Sequence, residues 1–171
     1  MGQASFLNRS IGQIGYVVED VEAAVRNYYE KFGIGNWHFY TYAPPLLKFQ
    51  NYYGKPAFYK IRLALGYFGE SRVELIQNLE GRTVYSDFIK ERGYGVQHLG
   101  IYVEDMHEAV KDAAAAGFSV IMDGGGFGQD GDGHFAYLDT EKICGITYEL
   151  IQRPKRRYEP EMIYPEIAEK G

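Results

Sequence analysis

The feature that most constrains this chain of 171 residues is an internal repeat. Residues 13–25 align without a gap on residues 98–110, and both segments place a Val-Glu-Asp triplet and an Ala-Val pair at the same points. A second motif, Glu-Leu-Ile-Gln, occurs at residues 74–77 and again at residues 149–152. Two matched segments in the same order indicate a duplicated structural unit.

Each copy of the repeat predicts a strand followed by a helix. In its first six residues, neighbouring side chains fall on two alternate faces, as the period of a strand requires. Asp20 and Asp105 are suited to cap the helices that follow, where apolar residues recur at helical spacing. Gly33 and Gly117 are suited to end those helices.

Short β-like runs follow each predicted helix, at residues 58–67, 72–77, 118–122, 135–139 and 146–152. A further helix is predicted over residues 84–92. The pattern therefore predicts the α+β class, built from two tandem βαβββ modules. The predicted organisation is a first module over residues 11–79, a linker helix within 80–95, a second module over 96–153 and a C-terminal tail over 154–171.

Composition excludes several kinds of protein. The net charge is -5, which disfavours a nucleic-acid-binding role because phosphate binding requires a surplus of cations. No run approaches the ~18 apolar residues of a membrane span, and the first residues lack the pattern of a signal peptide. Cys144 is the single cysteine, so no disulfide can form within the chain. We therefore predict a cytoplasmic protein that acts on a small molecule.

The duplication groups four polar residues into one set. Gln13 and His98 open the first strand of their respective copies, and Glu74 and Glu149 occupy the same place in the last strand. A carboxylate among apolar strand residues is costly unless it is paired or binds a metal. One such residue alone would be read as solvent-facing or as a hydrogen-bonded core residue. Four residues related by duplication instead predict a mixed nitrogen and oxygen site for one divalent cation.

Paired βαβββ modules with a polar residue opening the first strand and a Glu in the last resemble the vicinal oxygen chelate superfamily. That group includes glyoxalase I, methylmalonyl-CoA epimerase, extradiol dioxygenases and the bleomycin- and fosfomycin-resistance proteins. The resemblance covers residues 11 to about 153. It implies one curved, partly open mixed sheet with helices outside, a metal in its cleft held by Gln13, Glu74, His98 and Glu149, and a homodimer.

The resemblance also implies a chemistry. A divalent cation with open positions can bind two adjacent substrate oxygens and stabilise an enolate or enediolate, so that a proton α to a carbonyl becomes removable. Glu149 or Glu74 would act as the base. The function predicted is a glyoxalase I-like lyase or a methylmalonyl-CoA epimerase-like isomerase. The metal could be zinc, nickel, cobalt, manganese or magnesium, because these ligand types suit all of them.

Two alternatives remain open at this point. An extradiol-type dioxygenase is the poorer match, because its iron is held by two His and one carboxylate, and Gln13 stands where the second His would be. A drug-binding protein of the bleomycin-resistance type would use the same cleft without chemistry. Such proteins usually lack a full set of ligands, so the intact set favours an enzyme.

An aromatic segment between Trp37 and Tyr67 bears on the substrate. No Asp or Glu lies between Glu30 and Glu70, although an epimerase of this family is expected to draw a second Glu from the first module. A larger apolar or aromatic substrate is therefore plausible, unless the aromatic side chains simply pack a core. The predicted substrate-binding residues are Trp37, His38, Tyr40, Tyr53, Tyr59 and His134. A basic run at residues 153–157 predicts either a solvated tail or contacts with phosphate groups.

Overall fold

The structure, a computed structural model, describes residues 10–166. The elements of the first half are β1 (Ile11–Val17), α1 (Val21–Phe32), β2 (Trp37–Tyr42), β3 (Phe49–Tyr52), β4 (Lys55–Pro56), β5 (Lys60–Phe68) and β6 (Ser71–Glu80). The elements of the rest are α2 (Val84–Arg92), β7 (Gly95–Tyr102), α3 (Met106–Ala115), β8 (Val120–Gly125), β9 (His134–Leu138), α4 (Glu141–Cys144), β10 (Thr147–Gln152) and β11 (Met162–Tyr164). No helix within the described range is long and apolar enough to cross a membrane.

All eleven strands belong to one mixed sheet, in the order β11-β2-β5-β6-β1-β7-β10-β9-β8-β3-β4. The order β2-β5-β6-β1 of the first half recurs as β8-β9-β10-β7 in the second. The two halves meet where β1 pairs antiparallel with β7, and each of these strands pairs in parallel with the last strand of its own half. The predicted α+β class and curled, open mixed sheet are confirmed.

The helices begin and end where their local sequences direct. The Asp20 carboxylate accepts hydrogen bonds from the backbone N–H groups of Glu22 and Ala23, both at 2.9 Å, and so caps α1. Gly33 ends this helix at a φ of 68°, which favours glycine. Asp105 caps α3 in the same manner by accepting from the N–H of Glu108.

Strand alternation divides the apolar residues between the two faces of the sheet. On the convex face, α1 covers a cluster that includes Trp37 and Leu75, and α3 covers a second one that includes Ile101 and Leu150. The concave face carries a larger cluster, rich in tyrosine and phenylalanine, within the curl of the sheet. The four predicted metal ligands point to this concave face.

Two crossings tie the halves together beyond the β1–β7 seam. Strand β3 belongs to the first half by sequence, but it pairs with β8 of the second half. Strand β11 follows the second half and pairs with β2 of the first. These pairings hold the two ends of the sheet toward each other. The predicted tail therefore contains a strand, and its residues 167–171 lie outside the described range.

Candidate metal centre and substrate cleft

The four residues singled out by the duplication come together at the seam between the halves. Gly15 of β1 lies opposite both Glu74 of β6 and His98 of β7. Its counterpart in the repeat, Gly100, lies opposite both Gln13 and Glu149. Adjacent strands thus carry the four side chains to one point on the concave face, and two of the four come from each half.

Short distances join these side chains. The His98 Nε2 atom lies 3.2 Å from Glu149 Oε2 and 3.4 Å from Glu74 Oε2. The Gln13 amide donates hydrogen bonds to the same two oxygens, at 3.0 and 3.1 Å. All four residues are at least nine-tenths buried, and His98 is fully buried. Two carboxylates are therefore held side by side away from water, an arrangement that requires a compensating positive charge.

The orientation of His98 fits a metal ligand. Its Nδ1 atom lies 2.9 Å from Gln97 Oε1, which can only accept a hydrogen bond, so the ring proton resides on Nδ1. Nε2 is therefore the atom that can carry either a second proton or, when deprotonated, a lone pair for a metal. That atom is buried and has no hydrogen-bond partner within the described part of the chain, although it faces both carboxylates. Glu74, His98 and Glu149 offer ligand atoms that all lie within 4.8 Å of one another, which fits one divalent cation.

Gln13 contacts the cluster through its amide nitrogen. Because the amide N–H₂ group faces the two glutamates, the carbonyl oxygen points away from the common point. Coordination by Gln13 would require its amide to turn over and exchange the positions of oxygen and nitrogen. The structure thus brings together potential ligand atoms of three of the predicted residues and places the fourth residue, Gln13, beside them.

Burial and the charges within the cluster shift the pKa values of its residues. Burial disfavours a charged imidazole, but attraction to Glu149 and Glu74 outweighs burial and raises the pKa of His98 to about 9. Burial raises the pKa of Glu149, against the opposing attraction of His98. In the absence of a metal, a proton on His98 would therefore supply the positive charge that the carboxylates require. A cation and this proton compete for the same position.

Two buried tyrosines next to the cluster were missed by the sequence analysis. Tyr137 of β9 lies directly opposite Glu149 of β10, and its ring contacts His98 edge-on at a centroid distance of 5.1 Å. Its hydroxyl lies 2.6 Å from that of Tyr85 on α2. Burial and the charge of Glu149 raise the pKa of Tyr137 well above its ordinary value, so it remains a proton donor. The alternation of β9 could have placed Tyr137 on the concave face, but Tyr85 depends on how α2 packs.

An open cavity of about 890 Å³ lies at one end of the concave face. Leu65 lines it and sits directly opposite Glu74 in the β5–β6 pairing, so the cavity begins beside the cluster. Arg72 also lines it, two residues before Glu74 on the same face of β6, and its Nη1 atom donates to the Tyr102 hydroxyl at 3.1 Å. The counterpart of Arg72 in the second half is Thr147.

The basic run contributes to the same cavity. Arg153, Lys155 and Arg157 line it, and the Arg157 guanidinium donates to the Tyr42 hydroxyl at 3.0 Å. Arg156 instead pairs with Asp130 on the loop between β8 and β9. Three of its basic residues therefore lie at the mouth of the cleft.

The predicted substrate-binding residues separate into two groups. His38 and Tyr40 line the cavity. Tyr59 lies deep in the concave cluster, where its hydroxyl donates to the carbonyl oxygen of Asp123 at 2.8 Å.

The other three predicted substrate-binding residues lie away from the cluster. Trp37 is fully buried beneath α1 on the convex face, because it alternates with His38 along β2. Tyr53 is exposed at the β3–β4 turn, with a φ of 49°. His134 shares the helix-covered face with Ala136 and lies 3.1 Å from the Asp123 carboxylate.

Comparison with solved structures shows the fold. A variant of methylmalonyl-CoA epimerase from Streptomyces coelicolor, in complex with 2-nitronate-propionyl-CoA, is 18% identical, with coverage of 88% of this chain and 98% of that one and a TM-score of 0.61. Methylmalonyl-CoA epimerase from Mycobacterium tuberculosis is 20% identical over 84% of this chain and 87% of that one, with a TM-score of 0.57. A hypothetical protein from Bacillus halodurans is 20% identical, with coverage of 88% of this chain and 98% of that one and a TM-score of 0.59. No curated protein sequence matches the chain significantly.

A family model gives the classification. The model described as the Glyoxalase/Bleomycin resistance protein/Dioxygenase superfamily matches residues 12–137, well over half of the chain. The matched range includes Gln13, Glu74 and His98, and Glu149 follows it. The resemblance expected from the repeat is thereby confirmed, and the chain belongs to the Glyoxalase/Bleomycin resistance protein/Dioxygenase superfamily.

Proposed function

We propose that this protein is a divalent-metal-dependent enzyme that moves a proton α to a carbonyl group, as a lyase or an isomerase. One observation carries the proposal: Glu74, His98 and Glu149 converge in a buried position where the Nε2 atom of His98 has no hydrogen-bond partner among the described residues. Gln97 orients the imidazole for coordination. A cavity of about 890 Å³ beside the cluster is large enough for a small-molecule substrate.

A cation held by these residues would act as a Lewis acid that stabilises negative charge on substrate oxygens. The protein's own part is to hold and move the proton. Glu149 is the better base, because burial raises its pKa and so increases its affinity for a proton near neutral pH. Tyr137, directly opposite Glu149, is placed to donate a hydrogen bond that orients this carboxylate.

The number of carboxylates near the cavity limits which reaction types are possible. Inversion of a stereocentre requires proton-transfer groups on both faces of the substrate. Glu74 and Glu149 lie on opposite sides of the seam, and Glu74 is the nearer to the cavity through its neighbour Leu65. An epimerase would use both carboxylates, whereas a lyase or other isomerase needs only one. Some of the similar structures are methylmalonyl-CoA epimerases, so methylmalonyl-CoA should be the first substrate tested.

A drug-binding protein is the second candidate. The depth of the cluster favours it, since His98 is fully buried and the cavity is lined by Leu65, Tyr40 and Arg72 rather than by the glutamates. A ligand could then bind among aromatic side chains without touching the acids. The two candidates differ in whether a metal is required.

The decisive experiment combines metal analysis with proton exchange. Protein purified without chelator should contain about one divalent ion per chain, and EDTA should lower its melting temperature. Deuterium wash-in from D₂O should then be followed on methylmalonyl-CoA, on the glutathione hemithioacetal of methylglyoxal and on an aromatic 2-hydroxy ketone. Metal-dependent exchange on one of them is expected. Protein that binds no divalent ion, even when one is added, would reject the enzymatic proposal.

We expect a homodimer that acts in the cytoplasm. Light scattering of the purified protein checks the dimer, and cell fractionation checks the location.

A further inference from the structure

Arg72 is a buried cation that forms no salt bridge within residues 10–166, although the charge of Glu74, two residues along β6, attracts it. Only 8% of its surface is exposed, and its side chain donates a hydrogen bond to the Tyr102 hydroxyl. Within residues 10–166, no carboxylate oxygen lies within 4.0 Å of its guanidinium. A buried charge is costly unless it is paired at close range, so a guanidinium held in this way can take a direct anionic partner in addition to the more distant Glu74.

Other cations surround the same cavity and also rest against aromatic rings. The Arg153 guanidinium lies over the Tyr102 ring at 4.5 Å, and that of Arg157 lies over the Tyr40 ring at 5.8 Å. Such contacts hold a cation in place without neutralising its charge. With Arg72 and Lys155, four basic residues line the cavity.

Two carboxylates also line the cavity, and both must be counted. Asp132 accepts a hydrogen bond at 2.8 Å from the backbone N–H of Lys155, which directs one of its oxygens toward the C-terminal segment. Glu104 is the other acid, and it makes contacts of its own. Among the residues that line the cavity, four cations outnumber two acids, so the lining attracts anions.

We infer that this cavity binds the anionic group of the substrate, a carboxylate or a phosphate, and that Arg72 pairs with it directly. Guanidinium groups match both oxyanions through paired N–H donors. The inference deepens the proposed function, because it places a charged group of the substrate at one end of the cleft and the reacting carbons at the metal cluster. The anion site itself does not depend on the metal.

The spacing along β6 sets the length of the substrate. Arg72 and Glu74 are two residues apart on one face, which corresponds to roughly 7 Å along a strand. Consider a substrate whose two adjacent oxygens lie at the metal cluster, beside Glu74. Its anionic group would then be about four bonds away from those oxygens. 2-Oxoglutarate has this form, and 2-oxopentanoate carries a methyl group in place of its terminal carboxylate. The pair serves as a probe of the site and is not offered as the natural substrate.

The first experiment measures binding of these two probes to the metal-loaded protein by calorimetry. 2-Oxoglutarate is expected to bind at least about tenfold more tightly than 2-oxopentanoate, because it adds a charge-assisted pair with Arg72. Arg72→Gln should remove this preference, and Arg72→Lys should retain part of it. Arg82→Gln is the matched control, because Arg82 is an exposed residue that pairs with Asp87 outside the cavity. Equal binding of both probes to the wild type would count against a carboxylate as the anionic group.

The second experiment separates this inference from the proposed function. Chelator-treated protein is titrated with inorganic pyrophosphate, which tests the cavity without any metal. Binding that weakens at least about tenfold in Arg72→Gln supports the anion site, even if the metal proposal fails. Pyrophosphate binding together with equal binding of the two oxo acids assigns the site to a phosphate group. If neither pyrophosphate nor 2-oxoglutarate depends on Arg72, the inference is overturned.

Discussion

The imidazole of His98 lies directly over the backbone of Gly15, so closely that a β-carbon on Gly15 would come within 1.9 Å of the ring. The glycine is therefore required by the histidine on the neighbouring strand. Its counterpart Gly100 is similarly crowded, by Ile151 and by the side chain of Gln13. The ring can reach the two glutamates only because this strand position carries no side chain.

Gly15→Ala should accordingly displace His98. We expect the free energy of unfolding to fall by about 1–3 kcal/mol from overpacking, and the affinity for a divalent cation to fall at least about tenfold as the ring moves. Chemical denaturation and metal titration measure the two effects. Gly69→Ala is the control: its β-carbon meets nothing within 4 Å, but its φ of 60° imposes a backbone cost. This control should lose stability and keep its metal affinity. Unchanged metal affinity in Gly15→Ala would contradict the geometry described here.

The pKa of His98 predicts a pH dependence in chelator-treated protein. Its value in the folded state, about 9, lies above the ordinary value of 6.5. The stabilisation is therefore fully present below pH 6.5 and is lost as the pH rises through about 9, with a loss on the order of 3 kcal/mol at most. Urea unfolding between pH 6 and pH 9.5 measures it. His98→Gln should flatten this decline, and a wild-type stability that rises across the same range would refute the prediction.

Glu149→Gln should abolish most of the proton exchange while preserving the fold. Loss of a general base lowers the rate by about 10²–10⁴-fold, so deuterium wash-in on the active substrate should fall by at least the lower figure. Asp123→Asn is the matched control, because Asp123 is paired with His134 on the other face of the sheet. Its exchange rate should stay near that of the wild type. Exchange retained by Glu149→Gln would reject Glu149 as the base.

The Tyr85–Tyr137 hydroxyl pair should contribute measurably to stability. Tyr85→Phe removes one partner of a buried hydrogen bond of 2.6 Å, which should cost about 1 kcal/mol. Tyr137→Phe should cost as much and also slow exchange, because Tyr137 lies opposite the proposed base whereas Tyr85 does not. Denaturant unfolding and deuterium wash-in together test this difference. Equal exchange rates in the two variants would remove Tyr137 from the site.

The sequence predicts the part of this fold that is encoded locally and repeated. The duplication locates β1, β7 and the paired glutamates, and it brings Gln13 and His98 to one seam because equivalent strands meet there. The helix at residues 84–92 coincides with α2. Caps and apolar periodicity are local signals, so they can be recognised without knowledge of the tertiary structure.

Other features depend on contacts between distant segments. The β3–β8 and β11–β2 pairings join strands far apart in the chain, and neither partner carries a local signal of the other. The composition of the aromatic segment does not show which of its residues face the cleft, but the alternation of side chains along β2 does. This alternation places Trp37 on the convex face and His38 and Tyr40 in the cleft. Arg72 could have been placed by the same alternation from Glu74, but its hydrogen bond to Tyr102 on β7 is a tertiary property.

The duplication is incomplete at one position that matters for chemistry, since Arg72 in the first half is answered by Thr147 in the second. A pseudo-symmetric pocket with identical ends would accept a substrate in either of two directions. Arg72 lines the cavity and Thr147 does not, so a molecule that bears a single negative group meets a guanidinium at one end only and has one preferred direction of entry. In the proposed reaction, a fixed direction of entry would present the same carbon of the substrate to the same carboxylate in each turnover.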